Sequence, residues 1–405
     1  MTAAAALLPS PLGAVRVLRS VLTAHFLGSL ADNALLALAI ALLESRQAPG
    51  WTTPALRISF YAAYVLLAPL AGPLVDRFDK TRLMTAVNVL KLAGCVGLAA
   101  GAHPVLVFGS IGLGAAAYAP ARYGILPELV EGRALLRANA AMEIVSIVAI
   151  LAGVALGALM VAGSGAWHLS TACALLALLY AAGAASAAIA GMIQAVRLPR
   201  AFPRGGHGFR SGLAILLRDP DARVSLAITS LFWATAAVLQ FMMIDWARRV
   251  LGLGLAAASM LPAVLAIGMV GGALAAGRWV HDRLAFSLLP LGVVLGAGVV
   301  LMPFVGSLWC ACLLLFVVGA CAGILLVPMN AVLQQRGTAL LAPGLSVALQ
   351  NCLENGLSLA FLAAYGLALA CAVAPDAAIF AMGGAVTLAA ACIAWRRPAP
   401  APSRA

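Results

Sequence analysis

Twelve times along this chain a run of about 20 residues passes with scarcely a charge, and that recurrence leaves few folds open. The sequence is 64% hydrophobic and only 9% charged, against about 25% charged residues in ordinary soluble domains. A water-soluble fold of 405 residues needs more polar surface than this one supplies. The solvent is therefore mostly lipid, where the backbone must satisfy its own hydrogen bonds and only helices or closed barrels can cross. The runs lack the strict alternation of barrel strands, so they read as helices. The spans fall at 15–43, 54–76, 83–101, 104–122, 138–162, 168–193, 223–247, 255–277, 284–304, 307–333, 343–371 and 376–395. The expectation is an all-α membrane protein of twelve transmembrane helices. Arg16 and Arg19 before the first run superficially suggest a signal peptide, but no cleavage site is clear and the run reads as a retained first helix.

An even number of spans puts both termini on one side, and the basic residues say which. Of the 25 Lys and Arg, twenty lie on the side of the termini, four (Arg46, Arg57, Arg248 and Arg249) lie opposite, and Lys91 sits inside the third span. That bias places the termini in the cytoplasm. It also accounts for the net charge of +12 without nucleic acid, since the basic residues are scattered through short loops. The longest polar stretch, rich in Arg, Gly and Pro, separates two sets of six spans. The expected organisation is a six-helix bundle over 1–194, a cytoplasmic linker over 195–222, a second bundle over 223–397 and a disordered, proline-rich tail over 398–405. The halves carry a faint repeat. Pro120-Ala-Arg122 ends span four and Pro328-Met-Asn330 ends span ten, and an amide precedes a glutamate by four residues in both span five (Asn139, Glu143) and span eleven (Gln350, Glu354). Two parallel six-helix repeats are the layout of the major facilitator superfamily.

Polar side chains inside a span cost roughly 2.5–3.5 kcal/mol per charge at the helix centre, so they must face a partner or a wet path. Asp32, followed by Asn33, lies midway along span one, too deep to snorkel. It reads as a cavity acid for a cationic group or coupling ion, or else as a paired acid that stabilises the bundle. Arg122, beside Tyr123 near the cytoplasmic end of span four, is either an interfacial arginine or an anchor for phosphate or carboxylate, which guanidinium matches bidentately. Glu143 and Asn139 in span five, with Gln350, Asn351, Glu354 and Asn355 in span eleven, form polar stripes that should point inward. Gln240 in span seven and Asn330 in span ten are candidates to join them. His25 and Lys91 are weaker cases, and Asp245, Arg248 and Arg249 read as interfacial. The 2–3 loop, Gly72-x-x-x-Asp76-Arg77-x-Asp79-Lys80-x-Arg82, resembles the major facilitator loop motif, with Asp79 where that motif usually has glycine. Its implied role is to gate the cytoplasmic face; an ordinary basic turn is the plainer reading.

Several stretches resemble the lysophospholipid transporter family of that superfamily: Ala31-Asp32-Asn33-Ala34-Leu35-Leu36, Leu90-Lys91-Leu92, Ala115 to Leu126 through Tyr118, Pro120 and Arg122, Ala138-Asn139-x-x-Met142-Glu143, Ser230-Leu231-Phe232-Trp233, and Gln350-Asn351-x-x-Glu354-Asn355. The resemblance implies flipping of lysophospholipids, chiefly lysophosphatidylethanolamine, from the outer to the inner leaflet of the bacterial inner membrane. A separate acyltransferase/acyl-carrier-protein synthetase would then re-acylate them. It implies that Arg122 meets the phosphate and that Asp32 and a glutamate meet the ammonium. Where the family pattern leads us to expect arginine in span seven, this chain has Gln240.

Rival functions are a major facilitator exporter of hydrophobic drugs or small metabolites, a membrane acyltransferase and a primary pump. The acyltransferase lacks its H-x-x-x-x-D pattern, and the pump lacks a G-K-[ST] phosphate loop, since the chain has only two lysines. The eight cysteines lie in apolar runs with no C-x-x-C pair or zinc spacing. We therefore expect a monomeric carrier with no cofactor and no metal.

Overall fold

The computed structural model describes residues 11–49, 52–162, 169–195 and 208–395. Among these, twelve helices are long and apolar enough to cross a membrane. They are α1 (Pro11–Ser45), α2 (Thr52–Arg77), α3 (Lys80–Ala99), α4 (Pro104–Gly124), α5 (Gly132–Ala162), α6 (Leu169–Ala195), α7 (Pro220–Arg249), α8 (Leu261–Trp279), α9 (Pro290–Leu301), α10 (Leu308–Leu340), α11 (Pro343–Ala370) and α12 (Pro375–Trp395). Short 3-10 turns, Asp282–Leu288 and Met302–Phe304, flank α9 and complete its span. Large apolar side chains such as Leu66, Leu70, Leu106, Trp309 and Trp395 stand exposed on the helices. On a soluble protein such surface would drive association; on membrane spans it is the face that meets lipid.

Most spans fall where hydropathy puts them. The eighth does not start at 255: Leu255–Ala258 is a separate turn, and α8 begins at Leu261 with Pro262 in its first turn. Proline is tolerated there because the first turn has no intrahelical use for its missing N–H. The tenth runs past 333 to Leu340, because helix continues through Gln334, Gln335 and Arg336 where hydrophobicity stops. In the linker region, Phe209–Arg218 forms a short amphipathic helix; its Gly212 packs against Leu345 and Leu349. The rest of the polar stretch, 196–207, and the tail over 398–405 lie outside the described residues.

The chain forms two compact units: residues 1–214 with 337–356, and 215–336 with 357–405. In the first, α1 packs on α5 and α6, α3 on α4 and α6, and α2 on α4. Gly153 and Gly157 set the α1–α5 approach. A Cβ at Gly153 would strike the Leu30 carbonyl and, at 2.8 Å, Asn33 Cβ; one at Gly157 would meet the Ala34 carbonyl at 3.0 Å. Small residues thus bring α5 against the stretch of α1 that carries Asp32. Val21, Ala24, Met84, Ala117, Ile125 and Met142 fill the core toward one end, and Leu35, Cys95, Ile111 and Leu176 fill it toward the other.

In the second unit, α9 packs on α12, and a fully buried Trp246 anchors a cluster with Leu239, Met243, Val299, Leu315 and Ile379. Its tightest contact is reciprocal. Gly268 and Gly272 of α8 lie against the backbone of Phe316 and Ala320, while Gly319 and Gly323 of α10 lie against that of Leu265 and Met269.

Candidate functional site

In the first unit the buried polar side chains gather in two layers stacked along α1. His25 and Asp32 are seven residues apart, two helical turns, so they share a face about 10 Å apart along the axis. On α4, Tyr118 and Arg122 repeat the arrangement one turn apart.

The layer around Asp32 is an ion pair closed by aromatic rings. Lys91 of α3 donates to Asp32 Oδ2 at 2.6 Å, and Tyr180 of α6 donates its hydroxyl to Oδ1 at 2.7 Å. The Lys91 ammonium also lies 5.4 Å from the Tyr118 ring centroid and 5.8 Å from that of Tyr180. Lys91 is 2% exposed. Breaking one side of such a pair strands a charge and costs roughly 3–5 kcal/mol, so the four helices that supply these groups are tied together. Asn33, beside Asp32, turns its amide back to the Ser29 carbonyl at 2.8 Å.

The second layer is built on Arg122. Its Nη1 lies against both ring nitrogens of His25, 2.8 Å from Nδ1 and 2.5 Å from Nε2, and His25 Nε2 lies 2.7 Å from Ser146 Oγ on α5. Ser146 in turn donates to the Met142 carbonyl. The Arg122 guanidinium sits 4.6 Å from the Tyr123 ring centroid, and the Tyr123 hydroxyl donates to Glu143 Oε1 at 2.7 Å. Arg122 Nε is buried and has no hydrogen-bond partner among the described residues. Arg122 therefore turns inward onto His25 and Tyr123, away from the interfacial placement its sequence position allows. Asn139, one turn before Glu143, is fully buried and donates to the Leu135 carbonyl.

The first half of α11 brings the third group. Gln350 donates to Glu354 Oε1 at 2.8 Å, both side chains buried, and Asn355 donates to the Asn351 carbonyl at 2.8 Å. Asn351 Nδ2 is a second buried donor with no partner among the described residues. Glu354 is an electrostatic neighbour of Tyr123 and Tyr64, so it borders the Arg122 layer.

At the 2–3 loop, Asp76 closes α2 onto α11. Its two carboxylate oxygens accept from the backbone N–H groups of Gly344 and Leu345, at 2.7 and 2.8 Å. These are first-turn amides with no intrahelical partner, at the positive end of the helix dipole. The approach requires glycine twice. A Cβ at Gly344 would lie 2.6 Å from Asp76 Oδ1, and one at Gly72 would lie 2.8 Å from Leu345 Cα. Lys80 forms an ion pair with Glu128, which follows α4 in the short helix Leu126–Leu129. Asp79 caps α3 by accepting from Arg82 N at 2.9 Å. That explains an acid at this position, since a capping side chain satisfies a helix-start amide that glycine cannot reach. Arg77 and Arg82 are exposed.

The Major Facilitator Superfamily profile matches residues 21–353 of this chain. The lysophospholipid transporter LplT of Serratia proteamaculans is 37% identical over 87% of this chain and 88% of that protein. The LplT of Yersinia enterocolitica is 39% identical over 83% of each. This chain belongs to the lysophospholipid transporter family of the major facilitator superfamily. Solved structures agree on the fold: the human organic anion transporter MFSD10 superposes with a TM-score of 0.73 at 16% identity, over 96% of this chain and 99% of that one. FucP in its outward conformation gives 0.72 at 13%, over 96% and 100%. The chain is thus a multi-pass membrane protein of a transporter family, as its spans require.

Of the site residues expected from sequence, the structure gathers Asp32, Asn33, Arg122, Tyr123, Asn139, Glu143, Gln350, Asn351 and Glu354 in the first compact unit. Gln240 is half-buried on α7, in the second. Sequence reasoning gave too little weight to Lys91 and His25 and passed over Tyr180, Ser146 and Glu128. Lys91 carried a signal of its own, a charge inside a span that must find a counter-ion. Tyr180 and Ser146 had none, because one hydroxyl in an apolar run is unremarkable.

Proposed function

We propose that this protein flips lysophospholipids across the bacterial inner membrane from outer to inner leaflet by alternating access, with lysophosphatidylethanolamine as its main substrate. The observation that carries the reading is the Arg122 layer: an inward-turned guanidinium on His25, with one buried donor left over, joined through Tyr123 to the buried carboxylate of Glu143. A zwitterionic head needs one group of each sign. Arg122, through its unused Nε, takes the phosphate oxygens, and Asp32, Glu143 and Glu354 offer carboxylates to the ammonium. The acyl chain stays in apolar, lipid-facing surroundings. The names of the LplT relatives support the substrate class.

The loop from Gly72 to Arg82 serves as the cytoplasmic gate. Asp76 and Lys80 hold it shut through α11 and Glu128, while Arg77 and Arg82 lie exposed. The 20-to-4 distribution of basic residues supports cytoplasmic termini and hence a cytoplasmic face for this loop. The carrier acts as a monomer, and a separate acyltransferase/acyl-carrier-protein synthetase consumes the delivered lipid. The two six-helix repeats, joined by the linker at 195–222, supply the bodies that move.

The test is leaflet-resolved uptake of labelled lysophosphatidylethanolamine by the reconstituted protein, beside a parallel assay with a cationic dye, each with and without an ion gradient. Lysolipid uptake above protein-free vesicles is expected. Movement of the dye alone would refute the reading in favour of a drug exporter.

A further inference from the structure

Asp32 holds both of its oxygens against protein donors, which bears on how it can serve a substrate. Lys91 occupies Oδ2 and Tyr180 occupies Oδ1. The two partners are unequally accessible: the Lys91 side chain is 3% exposed and that of Asp32 is 18% exposed. The rings of Tyr118 and Tyr180 flank the ammonium, so the face left open belongs to the carboxylate. A carboxylate has about four lone-pair sites, and two are used here. A substrate cation can therefore join Asp32 without displacing Lys91, but it meets an acid that is already neutralised.

We propose that Lys91 is a tethered counter-ion that sets the head-group preference of this site. The inference rests on the lysolipid reading and adds to it a residue that acts through Asp32 without touching substrate. With Lys91 in place the Asp32–Lys91 pair is neutral overall, so it attracts an ammonium only weakly and repels an anionic head only weakly. Zwitterionic and anionic lysolipids can then share one site. Without Lys91, Asp32 would present a full negative charge in a low-dielectric surrounding, favouring an ammonium head and rejecting an anionic one. A lysine serving only to hold α1 against α3 would, when replaced, weaken both classes alike.

The experiment uses the full chain in nanodiscs, with protein-free nanodiscs as background. Lysophosphatidylethanolamine and lysophosphatidylglycerol compete separately against a fluorescent lysolipid, and the readout is the ratio of their affinities. Lys91→Met should raise the ethanolamine-to-glycerol ratio by tenfold or more, and Lys91→Arg should leave it near the wild-type value. The double variant Asp32→Asn/Lys91→Met, which removes both charges, should return the ratio to within about threefold of wild type. If Lys91→Met does not accumulate, Asp32→Asn decides: with Lys91 stranded the ratio should fall at least tenfold, and the double variant should restore it. A wild-type ratio in Lys91→Met, or equal ratios in Asp32→Asn and the double variant, overturns the proposal while wild-type binding keeps the lysolipid reading. Wild-type protein that binds neither lysolipid overturns both.

Discussion

Replacing Asp76 by alanine should release the start of α11. The side chain accepts two backbone hydrogen bonds at 2.7 and 2.8 Å, from Gly344 and Leu345. A lost helix cap costs about 0.5–2 kcal/mol, and the favourable charge–dipole term at a partly exposed site adds about 0.3–1 kcal/mol. Asp76 is half-buried, so solvent replaces part of what is lost, and about 2 kcal/mol is a reasonable total. That is close to thirtyfold in an equilibrium constant. Hydrogen exchange on the protein in nanodiscs reads it directly: protection of the Gly344 and Leu345 amides should fall roughly thirtyfold, and the peptide covering the middle of α1 should be unchanged. Asp79→Ala is the internal control, since it uncaps α3 at Arg82 and should leave Gly344 and Leu345 protected. Unchanged protection in Asp76→Ala would show that these bonds do not hold the gate, and the loop would be an ordinary basic turn.

Other perturbations reach different layers of the structure. Asp32→Asn and Arg122→Ala should each abolish lysolipid uptake while the protein still inserts, measured by vesicle uptake beside membrane-fraction immunoblots; near-normal uptake would make that residue structural only. Tyr180→Phe removes one hydrogen bond to a carboxylate, about 1.5–3 kcal/mol at most, and should reduce uptake about tenfold without changing expression. In the second unit, Gly272→Val should collapse folding, since even a Cβ there strikes the Ala320 backbone; a monodisperse peak on size exclusion with a wild-type Tm would refute that packing. Arg249→Ala, which breaks exposed pairs with Asp245 and Asp376, should cost under about 1 kcal/mol and shift Tm by a few degrees at most.

Hydropathy makes the spans legible because lipid imposes one simple demand, about 20 apolar residues per crossing. It measures the hydrocarbon layer and not the helix, so α10 outruns its apolar stretch by seven residues and α8 loses its first six to a turn before Pro262. The site is legible where its bonds are local. Gln350 and Glu354 lie four apart on one helix, and their hydrogen bond follows from the helical period. Pairings across helices are not legible. Asp32 meets Lys91 after 59 residues and Tyr180 after 148, and no spacing rule links positions on separate spans. The cost of a buried charge says only that a partner exists. Likewise Asp79 reads as a departure from a motif until its bond to Arg82 N shows it starting a helix.

The facing glycines of α8 and α10 carry a consequence for motion. With Gly268 and Gly272 on one side and Gly319 and Gly323 on the other, each helix seats its neighbour's backbone in two notches of its own, four points in all. Sliding by even one residue would drive side chains into main chain. These two helices must travel as a single plank, and whatever bending the transport cycle demands has to be found at looser seams.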